Sequence, residues 1–214
     1  MNTRFVGILL FIIVFACIAT GIIVYPYLPA AVISHWDALG NPNGTMSTFW
    51  GVFLVPIIMF VLIGLWALLP KIDPIAPEFK DFRYIYDFFF FLVIAFLAYV
   101  YALVLGANLG WELNMTRMLL PALAAFILIL GALLPHIKRN WFIGIRTPWT
   151  ISSDFVWKKT HKLGGLLFQI SGACILLGAF VPIRIALWLV IAPLIIAVLV
   201  TVVYSYAVFR SHPN

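Results

Sequence analysis

Charge is scarce in this 214-residue sequence: Asp, Glu, Lys and Arg together make up 9% of it, thirteen cations against seven anions. A soluble domain carries about 25%, so these residues cannot clothe a water-exposed surface of ordinary polarity. Cysteine is nearly absent, with two residues, which excludes a disulfide framework. Also missing are an HExxH zinc motif, a GxSxG nucleophile elbow and a phosphate-binding glycine loop. No catalytic constellation can be named, so no enzymatic activity and no cofactor or metal is expected. The two halves show no repeat, which leaves the inverted-repeat logic of many transporters without support. What the chain does have is apolar material, 65% of its residues.

That material is collected into six runs, residues 5–25, 49–69, 88–107, 118–134, 163–181 and 185–209, none containing Asp, Glu, Lys or Arg. About 20 residues of helix cross the hydrocarbon core of a bilayer, so each run predicts a transmembrane helix. The expected fold is all-α: a polytopic membrane protein with six transmembrane helices. The first run is long for a signal peptide and no clean small-x-small cleavage site follows it, so it is expected to remain as a span. One integral membrane domain is expected, in three parts: a helix pair with its outer loop (1–70), a central pair (71–134), and an inner loop with a C-terminal pair (135–214).

Orientation follows from the cations. Eleven of the thirteen fall in the N-terminus, the loops around 70–87 and 135–162, and the C-terminus, leaving Arg117 and Arg184 for the other side. The positive-inside rule then puts both termini in the cytoplasm. Much of the net charge of +6 is thereby assigned to topology, and no direct nucleic-acid binding is expected. Within the spans the notable polar groups are Asn108, Gln169, Ser171, Thr201, Ser205 and some tyrosines. Ion-coupled transporters keep a charge in that region, so the spans are expected to be chemically quiet, with Gln169 and Ser171 bonding between helices.

The loops carry the information. The first outer connection, PYLPAAVISHWDALGNPNGTMST over residues 26–48, is rich in turn formers and predicts a compact structure on the membrane surface. His35, Trp36 and Asp37 sit at its centre. His35 and Asp37 with Glu112 of the next outer loop offer three metal-type ligands without a spacing signature, and a packed, hydrogen-bonded turn is the plainer reading. Around 79–87, Lys80, Arg83 and Asp87 recur at helical spacing, which predicts a short interfacial helix, solvated and gripping headgroups, that leads into the third span. In the inner loop, NWFIGIRTPWT over 140–150 combines an Arg with two indoles, able to stack a guanidinium on an aromatic face. Ser152 or Ser153 then caps a helix on which Asp154, Trp157 and His161 share one face. That face is either part of an anchored juxtamembrane helix or a docking surface.

Taken together, Leu28-Pro29, His35-Trp36-Asp37, Gly40, Asn43-Gly44 and Ser47 resemble the SdpI family, which contains the immunity protein of the sporulation-delaying toxin system. The resemblance continues through Leu69-Pro70-Lys71-Ile72-Asp73-Pro74 and through Asn140-Trp141-Phe142 with Gly144-Ile145-Arg146-Thr147-Pro148-Trp149. It extends to Val156-Trp157 and Thr160-His161. In place of the Lys that often follows the Ser of the outer loop, this sequence has Thr48. The resemblance implies protection against a secreted peptide toxin. Its outer residues His35, Trp36, Asp37, Gly40, Asn43, Gly44 and Trp111 would meet toxin. Its inner residues Asn140, Gly144, Arg146, Thr147, Pro148, Trp149, Asp154, Trp157 and His161 would hold a winged-helix autorepressor, the partner of the family's best-known member. The alternative on the residues alone is a small transporter or flippase for a peptide or lipid.

Overall fold

The computed structural model describes residues 2–75 and 79–211, with the backbone alone at 79 and 80. Six helices are long and apolar enough to cross a membrane: α1 (Thr3–Val24), α2 (Thr48–Ile72), α3 (Phe79–Asn108), α4 (Met115–Leu133), α6 (Asp154–Gly178) and α7 (Ile183–Ser211). A five-residue helix α5 (Pro148–Ser152) lies in the connection between α4 and α6. The protein is an all-α, multi-pass membrane protein, to which a two-stranded hairpin, β1 (Ala31–Trp36) and β2 (Pro42–Ser47), is added between α1 and α2.

Helices α1, α2 and α3 pack on one another, α6 packs against both α4 and α7, and α3 also touches α4. Lipid tails are as apolar as the helix surfaces, so burial alone gives these helices little reason to associate, and close packing and internal polar bonds must hold them. Glycine supplies the closeness between α4 and α6. A Cβ placed on Gly165 would lie 2.6 Å from the Gly131 carbonyl, and one on Gly131 would lie 2.7 Å from the Gly165 carbonyl. Ile8, Phe15, Ile23, Trp188 and Val203 are among the large apolar side chains left facing outward, as a lipid solvent allows.

Two sequence expectations change. The interfacial helix expected around 79–87 is not separate over that length: α3 is broken at Phe82 (φ −127°, ψ 19°), a kink between two helices, and Arg83 and Asp87 belong to the longer helix that forms the third span. As the sequence led one to expect, α6 is capped by Ser153, starts at Asp154 and continues into the fifth span as far as Gly178. Ser171 donates to the Leu167 carbonyl of its own helix and so does not bond to a neighbour.

Candidate functional site

At one end of the bundle the hairpin is a pinned structure. Asp37 organises its turn: one carboxylate oxygen accepts from the Leu39 and Asn41 N–H groups at 2.9 and 2.8 Å, and the other accepts from the Asn41 side chain. The Asn41 backbone N–H leads these donors in holding the Asp37 carboxyl below its usual range, against a smaller upward push from desolvation. Gly40 turns the chain at φ +89°, and a Cβ there would strike the Asn114 carboxamide. From the neighbouring helices, Asn114 donates to the Leu39 carbonyl, Thr116 to the Ala38 carbonyl, and Asn108 both accepts from the Ile33 N–H (2.7 Å) and donates to the Ile33 carbonyl (2.9 Å). Asn108 thus engages the outer edge of β1 as an adjacent strand would.

Of the residues expected to meet a ligand here, His35 and Asn43 are exposed and joined ring to carboxamide across the hairpin. Trp36 is half-buried and Gly44 stands opposite His35 in the strand register. Trp111 is 60% exposed, with its ring laid over Gly106 of α3. Among the described residues no three of His, Cys, Asp and Glu gather closely enough to hold a metal, so His35, Asp37 and Glu112 do not form the alternative metal cluster.

At the opposite end, the connection over residues 137–153 is folded around Asn140. Its buried carboxamide donates to the Lys138 and Ile143 carbonyls and accepts from the Phe142 and Ile143 N–H groups, four bonds of 2.7–2.9 Å. Asp73, at the end of α2, accepts from the Trp141 N–H and ties the loop to the first helix triple. Gly144 has φ +110°, and a Cβ there would lie 2.5 Å from His161 Nε2. His161 receives the Ile145 N–H on Nε2 and directs Nδ1 to the Trp157 carbonyl, an arrangement that selects the neutral Nδ1–H tautomer. Thr147 and Thr150 cap α5 reciprocally, with Pro148 in its first turn. Trp149 donates to Ser205 of α7 at 2.7 Å and meets the Tyr206 ring edge-on.

Asp154, Trp157 and His161 do not present one exposed face. Trp157 and His161 are 2% and 1% exposed, stacked with ring centroids 4.0 Å apart, and the Trp157 indole donates to the Ile137 carbonyl. Asp154 is exposed and pairs with Arg139 at 2.8 Å. The reason is the preceding loop, which folds over this side of α6 and meets it through the Ile137 carbonyl, Gly144 and the Ile145 N–H. The surface left for a partner consists of Trp141, Arg146, Pro148 and Ser152 with Asp154. Arg146 donates to the Trp141 carbonyl at 2.6 Å, so the expected stacking is replaced there by a backbone bond. The guanidinium that does lie over aromatic faces is Arg83, 5.3 Å from the Trp66 ring centroid and 5.2 Å from that of Tyr86.

Arg83 belongs to a network that sequence reasoning missed. Asp87 is 0% exposed and accepts from Trp66 Nε1 and Arg83 Nε on one oxygen, both at 2.8 Å, and from Thr3 Oγ1 on the other at 2.7 Å. The third span is therefore not chemically quiet, and the amphipathic segment around 79–87 is not simply solvated. A signal was present: Arg83 and Asp87 stand four apart, in register for an ion pair on a helix.

Residues 136–205 match the SdpI/YfhL protein family and residues 12–60 match a domain of unknown function, DUF1648. The protein named Immunity protein SdpI, from Bacillus subtilis (strain 168), is 24% identical over 207 residues, covering 95% of this chain and 96% of that one. The chain is thus distantly similar to that immunity protein along nearly its whole length, and its residues 136–205 resemble the SdpI/YfhL family. The SdpI match contains the whole Asn140-organised loop and helix α6, and the DUF1648 match contains the hairpin. No solved structure matches the chain.

Proposed function

We propose that this protein is a membrane immunity protein, protecting its cell from a secreted, membrane-active peptide by binding and without a catalytic step. The observation that carries the reading is the end-to-end similarity to Immunity protein SdpI, 95% of one chain against 96% of the other. In this reading the termini and the 137–153 loop face the cytoplasm, as the distribution of cations requires, and the hairpin faces outward. A ligand-binding surface has to be preorganised to avoid ordering costs, and the hairpin, fixed by Asn108, Asn114 and Thr116, meets that condition. His35 and Asn43 of the hairpin, with Trp111 of the α3–α4 connection, are the exposed contact groups. Signalling to a winged-helix repressor is assigned to the cytoplasmic surface of Trp141, Arg146 and Pro148, joined to α7 through Trp149. Toxin binding would act on it by shifting the packing of the helices between.

The test is survival of a peptide-sensitive bacterium expressing the chain and challenged with a sporulation-delaying-type peptide. Wild type is expected to protect. Asn108→Ala, which unpins β1, is expected to lose protection at equal membrane levels, while Arg146→Ala is expected to keep protection and lose any repressor recruitment. No protection by correctly inserted wild type against such peptides would overturn the reading.

A further inference from the structure

A cleft of about 410 Å³ opens at the end of the bundle that carries the chain termini, between the start of α3, the α4–α6 connection and the start of α6. Its charged and titratable wall is Asp81, His136, Lys138, Arg139, Asp154 and Lys158. Three of these residues are also span boundaries: the third span begins at Asp81, the fourth ends at His136 and the fifth begins at Asp154. Span ends lie where hydrocarbon gives way to headgroups, so the cleft opens at headgroup depth. Tyr84, half of it exposed, lines the same cleft and is suited to that boundary.

The charges divide into those already used and those left over. Arg139 is committed to Asp154 and to the Ile151 carbonyl. Lys138, Lys158 and Asp81 make no side-chain ion pair or hydrogen bond among the described residues, so two cations and one carboxylate face the cleft unused. A bare phosphate would satisfy the lysines and leave Asp81 beside a like charge. A quaternary ammonium would balance Asp81 but has no N–H to donate. We propose that this cleft binds a phospholipid headgroup in which a phosphate is joined to a primary ammonium, the phosphate held by Lys138 and Lys158 and the ammonium by Asp81. The assignment is independent of the immunity reading. Its consequence is that a lipid lies against the junction of α3, α4 and α6, where the two helix triples meet.

The experiment uses the full-length protein in detergent, with native mass spectrometry of retained lipid after adding equimolar phosphatidylethanolamine, phosphatidylglycerol and phosphatidylcholine of one chain length. Wild type is expected to retain about tenfold more phosphatidylethanolamine than either of the others, the worth of one charge-assisted bond. Lys138→Gln with Lys158→Gln is expected to cut that retention by about tenfold. Asp81→Asn is expected to abolish only the advantage over phosphatidylglycerol. Lys159→Gln, whose ammonium lies over Phe155 outside the cleft, is expected to change nothing. Equal retention of the three lipids by wild type, a test that needs no variant to fold, overturns the proposal, as does undiminished phosphatidylethanolamine retention in the double lysine variant. Water-soluble glycerophosphoethanolamine forms a parallel arm: if it binds as well as the lipid does, the ligand is a solute and the lipid assignment fails.

Discussion

Asp87 shows what one residue can do in a lipid-embedded fold. A carboxylate in hydrocarbon is costly unless every lone-pair direction is used, and here donors arrive from α1, α2 and α3 itself. The same bonds that make the charge tolerable also clamp three helices, which the hydrophobic effect alone would not fix in lipid. Asp87→Ala is expected to destabilise the detergent-solubilised protein by about 2–4 kcal/mol, because it strands the Trp66 indole and an Arg held over two rings. Asp87→Asn, which keeps an acceptor, should lose less. Thermal unfolding of both variants checks the order, and an Asp87→Ala protein as stable as wild type would show that the network contributes no net stability. Asn140 is the loop's counterpart, spending all four carboxamide bonds on its own connection.

For the helices, the useful contrast is between two glycines with similar sequence surroundings and different neighbours. Gly165 faces the Gly131 carbonyl and Pro135, so its Cβ would force α6 away from α4, whereas Gly64 of α2 has nothing within 4 Å of the same position. Gly165→Ala is expected to cost about 1–3 kcal/mol through overpacking. Gly64→Ala is expected to be neutral or to add up to about 1 kcal/mol through helix propensity and lost unfolded-state freedom. Measuring unfolding of both in one detergent checks the pair, and a stability loss at Gly64 equal to that at Gly165 would rule out helix contact as the cause. The hairpin follows the same pattern: its turn residues were legible, but the groups that pin it, Asn108 and Asn114, lie 75 positions away along the chain from their partners.

At the scale of the molecule, six spans place the hairpin, which follows the first, and the 137–153 loop, which follows the fourth, on opposite sides of the membrane. In a variant with Cys17 and Cys174 replaced by Ala, Asn43→Cys is expected to react with an impermeant maleimide in intact cells, and Ser152→Cys only after permeabilisation. Both positions are exposed. The reverse pattern would invert the orientation used for the proposed function while leaving the fold untouched, and labelling of both without permeabilisation would contradict the span count.

The number of spans, their approximate bounds and the turn chemistry of both connections were determined by the sequence, because hydropathy, proline and glycine act over a few residues. Tertiary structure decided which side chains are available. Trp157 and His161 look like a presented face until the loop before α5 is seen to fold over them, setting Gly144 and the Ile145 N–H against His161 and the Ile137 carbonyl against Trp157. Asp87 looks like the edge of a solvated segment until Thr3 and Trp66 converge on it from other helices. Burial and pairing at these positions depend on groups distant in the chain, and local pattern carries no information about which distant groups arrive.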